Sequence, residues 1–477
     1  MALPVLSVNA MRAWEAATWD AGVDPGTVIQ RVGDRLAAAL LARTAPHDRL
    51  LLLAGSGHNG DDLRAAVRGL GGREVRLLEV SDPVAGLHAL EALGAGGWEP
   101  AWCVDGLFGI GLNRDLDSAW IRFIDRVNAL NWRMVSVDVP SGLDADTGLP
   151  RGAAVRAEWT LTVGAPKQGL LSASAWEFVG RLEVLAKVGL SEDFLRTWSG
   201  SNVDAGLRWV EADAFDGFPP RRCVASHKGT YGHLVIAAGS LGYHGAGVLA
   251  ARAAAAARPG LVTVLTTPEA YAPVASQLAS AMVRPWNGSE ALPNSATALI
   301  IGPGLAGVDV SDTQRSAVVR WWREWPGAVV ADASALDWIR HVTVAPEVGL
   351  RVMTPHPGEA ARWLGTTAAE VNADRTDSLG RLAASGAWVV LKGHQTRVGG
   401  GNAAQWIHST GNPGLAQGGT GDVLAGFLGG LIAQEGLRSD PERLISYAVW
   451  QHGAAADRLE ARSRNWSSET LATEIGC

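Results

Sequence analysis

The chain has 477 residues, 41 basic and 48 acidic side chains, a formal charge of −7 and 47% apolar residues. That length predicts two or three domains with sizeable cores, and the mild acidity argues against a broad nucleic-acid footprint. Three dispersed cysteines, Cys103, Cys223 and Cys477, exclude a paired disulfide framework and a Cys-x-x-Cys metal site. The N-terminus lacks a basic segment followed by an apolar run, and no apolar stretch is long enough to span a bilayer. A cytoplasmic protein without membrane or nucleic-acid partners is expected.

In the first half, apolar runs end in Gly, Asp or Pro at 49–57, 74–80, 101–109, 133–142 and 158–166. Runs apolar on both faces that alternate with helical stretches predict a buried parallel sheet. The segment 206–222, with weak periodicity and a Pro-Pro pair, is expected to be a linker. The pattern then restarts at 232–240, 260–268, 296–304, 327–334, 351–355 and 387–393, and everything from Thr420 to Leu459 is expected to be helical. The predicted architecture is α/β with two domains, each a three-layer α/β/α sandwich. Residues 1–205 form the first and 223–477 the second.

Ligands of open parallel sheets sit at the carboxyl ends of the strands. In the first domain those ends carry Ser56–Asp62, Asp105 and Asp138–Ser141. Their Asn, Asp and Ser oxygens suit a hard cation or a hydroxylated ligand better than a phosphate. A plainer alternative has Asp61 and Asp62 capping the helix that follows.

The second domain places Gly418–Gly421 directly before Asp422 and a long apolar helix. Glycines at a helix N-terminus let backbone N–H groups converge on a transferring phosphoryl group, and an aspartate there can deprotonate an attacking hydroxyl. Lys392 is one of only four lysines and closes an apolar strand; His356 lies between two prolines; Gly302–Gly304 end another strand without side chains. Taken singly, His356 reads as a turn histidine and Lys392 as a solvated strand end.

The first-domain motifs Asp105–Gly111 and Asp138–Gly148 resemble the epimerase domain of the NAD(P)H-hydrate repair enzymes, a Rossmann-like fold. The stretches "HKGTYGHLVIAAGS", "TPHPGEAARWLG", "LKGHQT" and "TGNPGLAQGGTGDVLAG" resemble the ADP-dependent NAD(P)H-hydrate dehydratase domain, a ribokinase-like fold. This resemblance implies a bifunctional enzyme acting on NADHX and NADPHX. Asp138 and Asp422 would be catalytic. The first domain would contact the hydrate through His58, Asn59, Gly60, Asp61 and Asp62, and through Gly109, Ile110, Gly111, Leu112, Asn113, Arg114, Asp115 and Asp138. The second would use Ala246, Gly304, His356 and Asp422.

The resemblance further implies that Lys392, Gly393, His394, Gln395, Thr396 and Gly421 contact ADP, with Mg²⁺ assisting, and that Asn59, Asp105 and Ser141 hold K⁺. A homo-oligomer is expected. His58, Asp61 and Leu63 depart from the family's Asn-Asn-Gly-Gly-Asp-Gly loop, and an aspartate charge there would repel phosphate. This leaves a dehydratase with a non-catalytic N-terminal scaffold as one alternative, and a ribokinase-like small-molecule kinase as another.

Overall fold

A computed structural model describes residues 2–197, 206–344, 348–401 and 404–476. The chain divides into two compact units, Leu3–Trp209 and Val210–Cys477. The expected end of the first domain at residue 205 lies outside the described residues. The segment expected to be a linker carries a short strand, Leu207–Trp209, and a 3-10 turn, Ala212–Phe215. Phe215 is buried against Tyr447 and Trp450.

The first unit contains strands Leu3–Pro4 (β1), Arg49–Ala54 (β2), Glu74–Glu79 (β3), Trp102–Gly106 (β4), Met134–Val137 (β5), Trp159–Val163 (β6), Arg181–Leu185 (β7) and Leu207–Trp209 (β8). Six of them form a parallel sheet in the order β3-β2-β4-β5-β6-β7, while β1 and β8 pair antiparallel. The leucines of β2 show why a fully apolar strand is needed. Leu50 and Leu52 pack with helices Val8–Asp20 and Pro25–Leu41, whereas Leu51 and Leu53 pack with helices Pro83–Ala95 and Ser118–Ala129 on the other face. Strand order reverses between β2 and β4, which opens a crevice at their carboxyl ends.

The second unit contains His233–Ala237 (β9), Leu261–Thr266 (β10), Met282–Pro285 (β11), Ala298–Ile301 (β12), Ala328–Ala331 (β13), Arg351–Met353 (β14), Trp388–Leu391 (β15), Arg397–Gly400 (β16) and Gln405–Ile407 (β17). Their order is β17-β16-β15-β14-β13-β12-β9-β10-β11. All neighbours are parallel except β15 with β16 and β16 with β17. Here too alternate residues serve two cores, with Leu234 and Ile236 on one face and Val235 and Ala237 on the other. The reversal falls between β9 and β12. The stretch from Thr420 to Leu459, expected to be helical throughout, is interrupted once. Helix Thr420–Ile432 ends in a 3-10 turn at Glu435–Leu437, and Asp440 caps a new helix, Pro441–Arg462.

Helix Thr420–Ile432, which carries Asp422 in its first turn, is set by small residues. A Cβ on Gly426 would lie 2.2 Å from the Ala250 carbonyl oxygen, and one on Gly430 would lie 2.7 Å from that of Ala254. Both contacts are with helix His244–Ala256. A Cβ on Gly429 would meet Ile300 of β12 at 2.4 Å. Gly426→Ala is therefore expected to destabilise the second unit by roughly 1–3 kcal/mol through overpacking. A thermal melt showing an unchanged midpoint would contradict this.

Candidate active sites

In the first unit, Gly55 and Gly60 make the turn after β2. A Cβ at Gly55 would lie 2.1 Å from the Leu107 carbonyl oxygen, and one at Gly60 would lie 2.0 Å from that of Gly55. The turn delivers Asn59, whose Nδ2 donates to the carbonyls of Phe108 (2.8 Å) and Val137 (3.0 Å). Its Oδ1 is buried without a partner among the described residues. Asp105, fully buried at the end of β4, accepts from Ser136 Oγ (2.9 Å), Ser141 N (2.9 Å) and Ser141 Oγ (2.6 Å). Ser141 Oγ also lies 3.4 Å from the Phe108 carbonyl oxygen. Asn59, Asp105 and Ser141 thus converge around Phe108, and the orphaned amide oxygen beside a hydroxyl and a carboxylate suits an oxygen-seeking cation.

Asp138 follows β5 with φ +64°, a left-handed conformation that Asp tolerates better than most residues. Its Oδ2 lies 3.4 Å from Ile110 N and borders Gly109, where a Cβ would sit 3.0 Å away. Asp138 and the Gly109–Ile110 turn are therefore brought together. Arg114 and Asp115, further along that loop, line a cavity of about 170 Å³ with Phe108, Leu112 and Trp120. Asp62 is buried, and burial, reinforced by Asp138, Asp61 and Glu15, pushes its carboxyl up to about 8.

The departures from the family loop have structural explanations. Leu63 turns into the core and covers Gly106, where a Cβ would lie 2.5 Å from Leu63 Cδ1. The Asp61 carboxylate is paired with Arg64 at 2.8 Å, and Arg64 also holds Glu79 and the Gly55 carbonyl. His58 is exposed at the start of helix His58–Ala66.

In the second unit, Gly302 and Gly304 end β12, and both have positive φ. A Cβ on Gly304 would approach Ala246 Cβ to 2.7 Å, which puts these two predicted contacts side by side at the start of helix His244–Ala256. His356 caps helix Pro357–Leu364. Its Nδ1 accepts from Gly358 N (3.0 Å) and Glu359 N (3.3 Å), while Glu359 accepts from His356 N (2.8 Å). The turn reading and the site reading are compatible, because the side chain stays half-exposed while Nδ1 serves the cap and Nε2 lies 3.5 Å from Glu359 Oε1.

Lys392 Nζ is ion-paired with Asp332 at 2.8 Å and lies 3.9 Å from Glu359. Burial alone would lower its pKa, but Asp332 and Glu359 raise it above the ordinary lysine value. A Cβ on Gly421 would lie 3.4 Å from this ammonium, an ordinary contact distance, so the start of the helix and the lysine stand side by side. Burial pushes Asp422 up to about 7, with Asp332 and Glu359 adding to the rise and Lys392 opposing it. Gly393 and Gln395 have positive φ, and Thr396 Oγ1 bonds the Gly393 carbonyl at 2.9 Å. Burial lowers His394 to about 4. The Gln395 amide nitrogen is buried without a partner among the described residues.

Two residues here were not singled out from sequence. Asp332 anchors Lys392, and buried Arg375 donates to the carbonyls of Leu391 (2.8 Å) and Lys392 (3.1 Å), supporting the turn from beneath. Asp332 closes an apolar strand as Asp105 does, so position alone could have flagged it. Nothing in the local sequence marks Arg375.

These features define a two-unit α/β protein, with Asp422 and the Lys392–Asp332 pair gathered at the N-terminus of a glycine-led helix in one unit and an oxygen-lined crevice in the doubly wound other. Residues 234–477 match the NAD(P)H-hydrate dehydratase family, and residues 74–169 match the YjeF-related protein N-terminus. A bifunctional NAD(P)H-hydrate repair enzyme of Gloeobacter violaceus is 36% identical over 96% of this chain and 94% of its own length. The corresponding enzyme of Escherichia coli K12 is 36% identical over 86% of this chain and 81% of its own. A solved ribokinase-like protein of Enterococcus faecalis is similar to 57% of this chain, covering 94% of its own length, with TM-score 0.50 and 25% identity. The chain belongs to the family of bifunctional NAD(P)H-hydrate repair enzymes. No helix among the described residues is long and apolar enough to cross a membrane.

The raised Asp62 carboxyl carries a stability consequence. The folded protein keeps that proton up to about pH 8, whereas an unfolded aspartate releases it near pH 4. Stability is therefore lost as pH rises between those values. Asp62→Asn should melt like the parent at about pH 4 and higher than it at about pH 8, by roughly 2–4 °C for each kcal/mol relieved. Equal midpoints at both pH values would contradict the burial account.

Proposed function

We propose that the second unit dehydrates the S-hydrate of NADH or NADPH at the expense of ADP, and that the first unit interconverts the R and S hydrates. The observation that carries the reading is Asp422. It stands in the first turn of a glycine-led helix with a carboxyl raised to about 7, next to Gly421, whose backbone lies beside the Lys392 ammonium. A base of that pKa is matched to neutral-pH proton transfer.

In the dehydratase step, Asp422 takes the proton of the C6 hydroxyl, and that oxygen attacks the terminal phosphoryl group of ADP, displacing AMP. Backbone N–H groups at Gly419–Gly421 and the Lys392 ammonium face the charge that develops there. The ring nitrogen lone pair then expels phosphate from C6, and loss of a C5 proton restores the dihydropyridine. Phosphorylation matters because phosphate leaves far more readily than hydroxide. Mg²⁺ would supply charge neutralisation to the ADP phosphates, and Asp332 and Glu359 are the carboxylates nearest to Lys392 that could share in holding it. Lys392–Thr396 would receive the nucleotide, and Ala246, Gly304 and His356 the hydrate.

In the epimerase step, the ring nitrogen expels the C6 hydroxyl as water and leaves a cationic ring that water re-enters from either face. Asp138 serves as acid/base and offsets the ring charge, while Asp62, which retains its proton at neutral pH, donates a hydrogen bond to the hydrate. A potassium ion on Asn59, Asp105 and Ser141 would supply a fixed charge that orients the C6 oxygen. The pairing of Asp61 with Arg64 and the inward turn of Leu63 favour an active first unit over a scaffold.

Asp422→Ala should lower ADP-dependent recovery of NADH from its S-hydrate by roughly 10²–10⁴-fold, the usual worth of a general base. The parent rate should climb through about pH 7 as Asp422 loses its proton. Parent-like turnover in the variant would remove the mechanism.

A further inference from the structure

Lys167 is among the largest fully buried side chains, with 1% of its surface exposed, and neither proposed reaction uses it. An ammonium is costly to bury unless it is paired and all its protons are placed. Lys167 meets both conditions: Nζ donates to Asp138 Oδ1 at 2.6 Å, to Thr162 Oγ1 at 3.0 Å and to the Val163 carbonyl at 2.8 Å. A lysine has three donors, so none remains for a substrate.

The backbone around it is clamped as well. Leu6 N donates to the Pro166 carbonyl at 2.9 Å, and Gln168 N donates to the Leu6 carbonyl at 3.0 Å. These bonds hold Lys167 in a parallel bridge with Leu6.

The effect on Asp138 is asymmetric. Oδ1 receives Lys167, Val163 N at 3.2 Å and Thr162 Oγ1 at 3.4 Å. Among the described residues, Oδ2 has only the long 3.4 Å contact from Ile110 N, and it faces the Gly109–Ile110 turn. One carboxylate oxygen is fixed from behind and the other is left to the crevice.

We infer that Lys167 is a positioning residue of the epimerase reaction, acting only through Asp138 by pinning Oδ1 so that Oδ2 alone meets the C6 oxygen of the hydrate. The inference rests on the epimerase reading of the first unit. A residue that orients a reacting group without touching substrate changes turnover more than binding, and a misplacement of about 1 Å costs on the order of 10²-fold.

The test uses the full chain with R-hydrate as the starting epimer, and a near-UV circular dichroism spectrum and thermal melt of each variant, compared with the parent, report that the first unit is folded. Lys167→Met should lower the epimerase kcat about 100-fold with KM within about threefold. Lys167→Arg keeps the charge on a planar fork of different shape and should lose about tenfold. In an Asp138→Ala background, Lys167→Met should cost less than about twofold more, because its only route of action is already gone.

Parent-like kcat in either single variant, or full additivity with Asp138→Ala, would overturn the inference. If Lys167→Met does not fold, Lys167→Arg decides alone: a tenfold kcat loss at unchanged KM supports the inference, and parent-like kcat overturns it. A parent chain that leaves R-hydrate at its spontaneous rate would sink the epimerase reading itself, a result distinct from indifferent Lys167 variants in an active parent.

Discussion

The constraint on which both sites depend is the pairing of a buried lysine with an aspartate at the carboxyl edge of a parallel sheet. Strands covered by helices on both faces must be apolar along their length, so polar groups collect where the strands end. There an ammonium is tolerated only beside a carboxylate. The chain has four lysines; Lys167 grips Asp138 in the first unit and Lys392 grips Asp332 in the second. In the second unit the pair also sets the surroundings of Asp422, whose carboxyl is raised chiefly by burial and further by Asp332 and Glu359, and is restrained by Lys392.

Close helix packing translates that chemistry into position. Helix Thr420–Ile432 presents Gly426 and Gly430 to helix His244–Ala256 and Gly429 to β12. Side chains at those points would push the helix, and Asp422 with it, away from the sheet edge. The same logic operates on a smaller scale at Gly55 and Gly60, which let the turn after β2 bring Asn59 against the carbonyls of Phe108 and Val137.

Much of this was legible in the sequence, because unbroken apolar runs such as Leu50–Leu53 and Val235–Ala237 admit few structures other than a doubly covered sheet. The site motifs were legible for the same reason, since polar residues stand out at the ends of such strands. What escaped was short, exposed or tertiary. Met282–Pro285 is a partly exposed edge strand ending in proline, and Arg397–Gly400 and Gln405–Ile407 are too brief to show a period. The break after Ile432 carried its own local signals, Gly436 and the Asp440-Pro441 helix start, inside an otherwise helix-favouring stretch. Leu63 looked like a lost glycine beside the ligand. Only the fold shows that it fills the space above Gly106, and that Asp61 is answered by Arg64 and Glu79. Lys167 could be noticed as scarce, but its partner lies 29 residues away and is brought to it by the sheet.

The central claim is that both units are catalytically live in one chain. The measurement that tests it most directly is the time course of a mixed R and S hydrate preparation incubated with the full chain and ADP. The account predicts complete consumption, faster than spontaneous epimerisation would permit. A stall once the S-epimer's share is gone would contradict it and leave the first unit a scaffold.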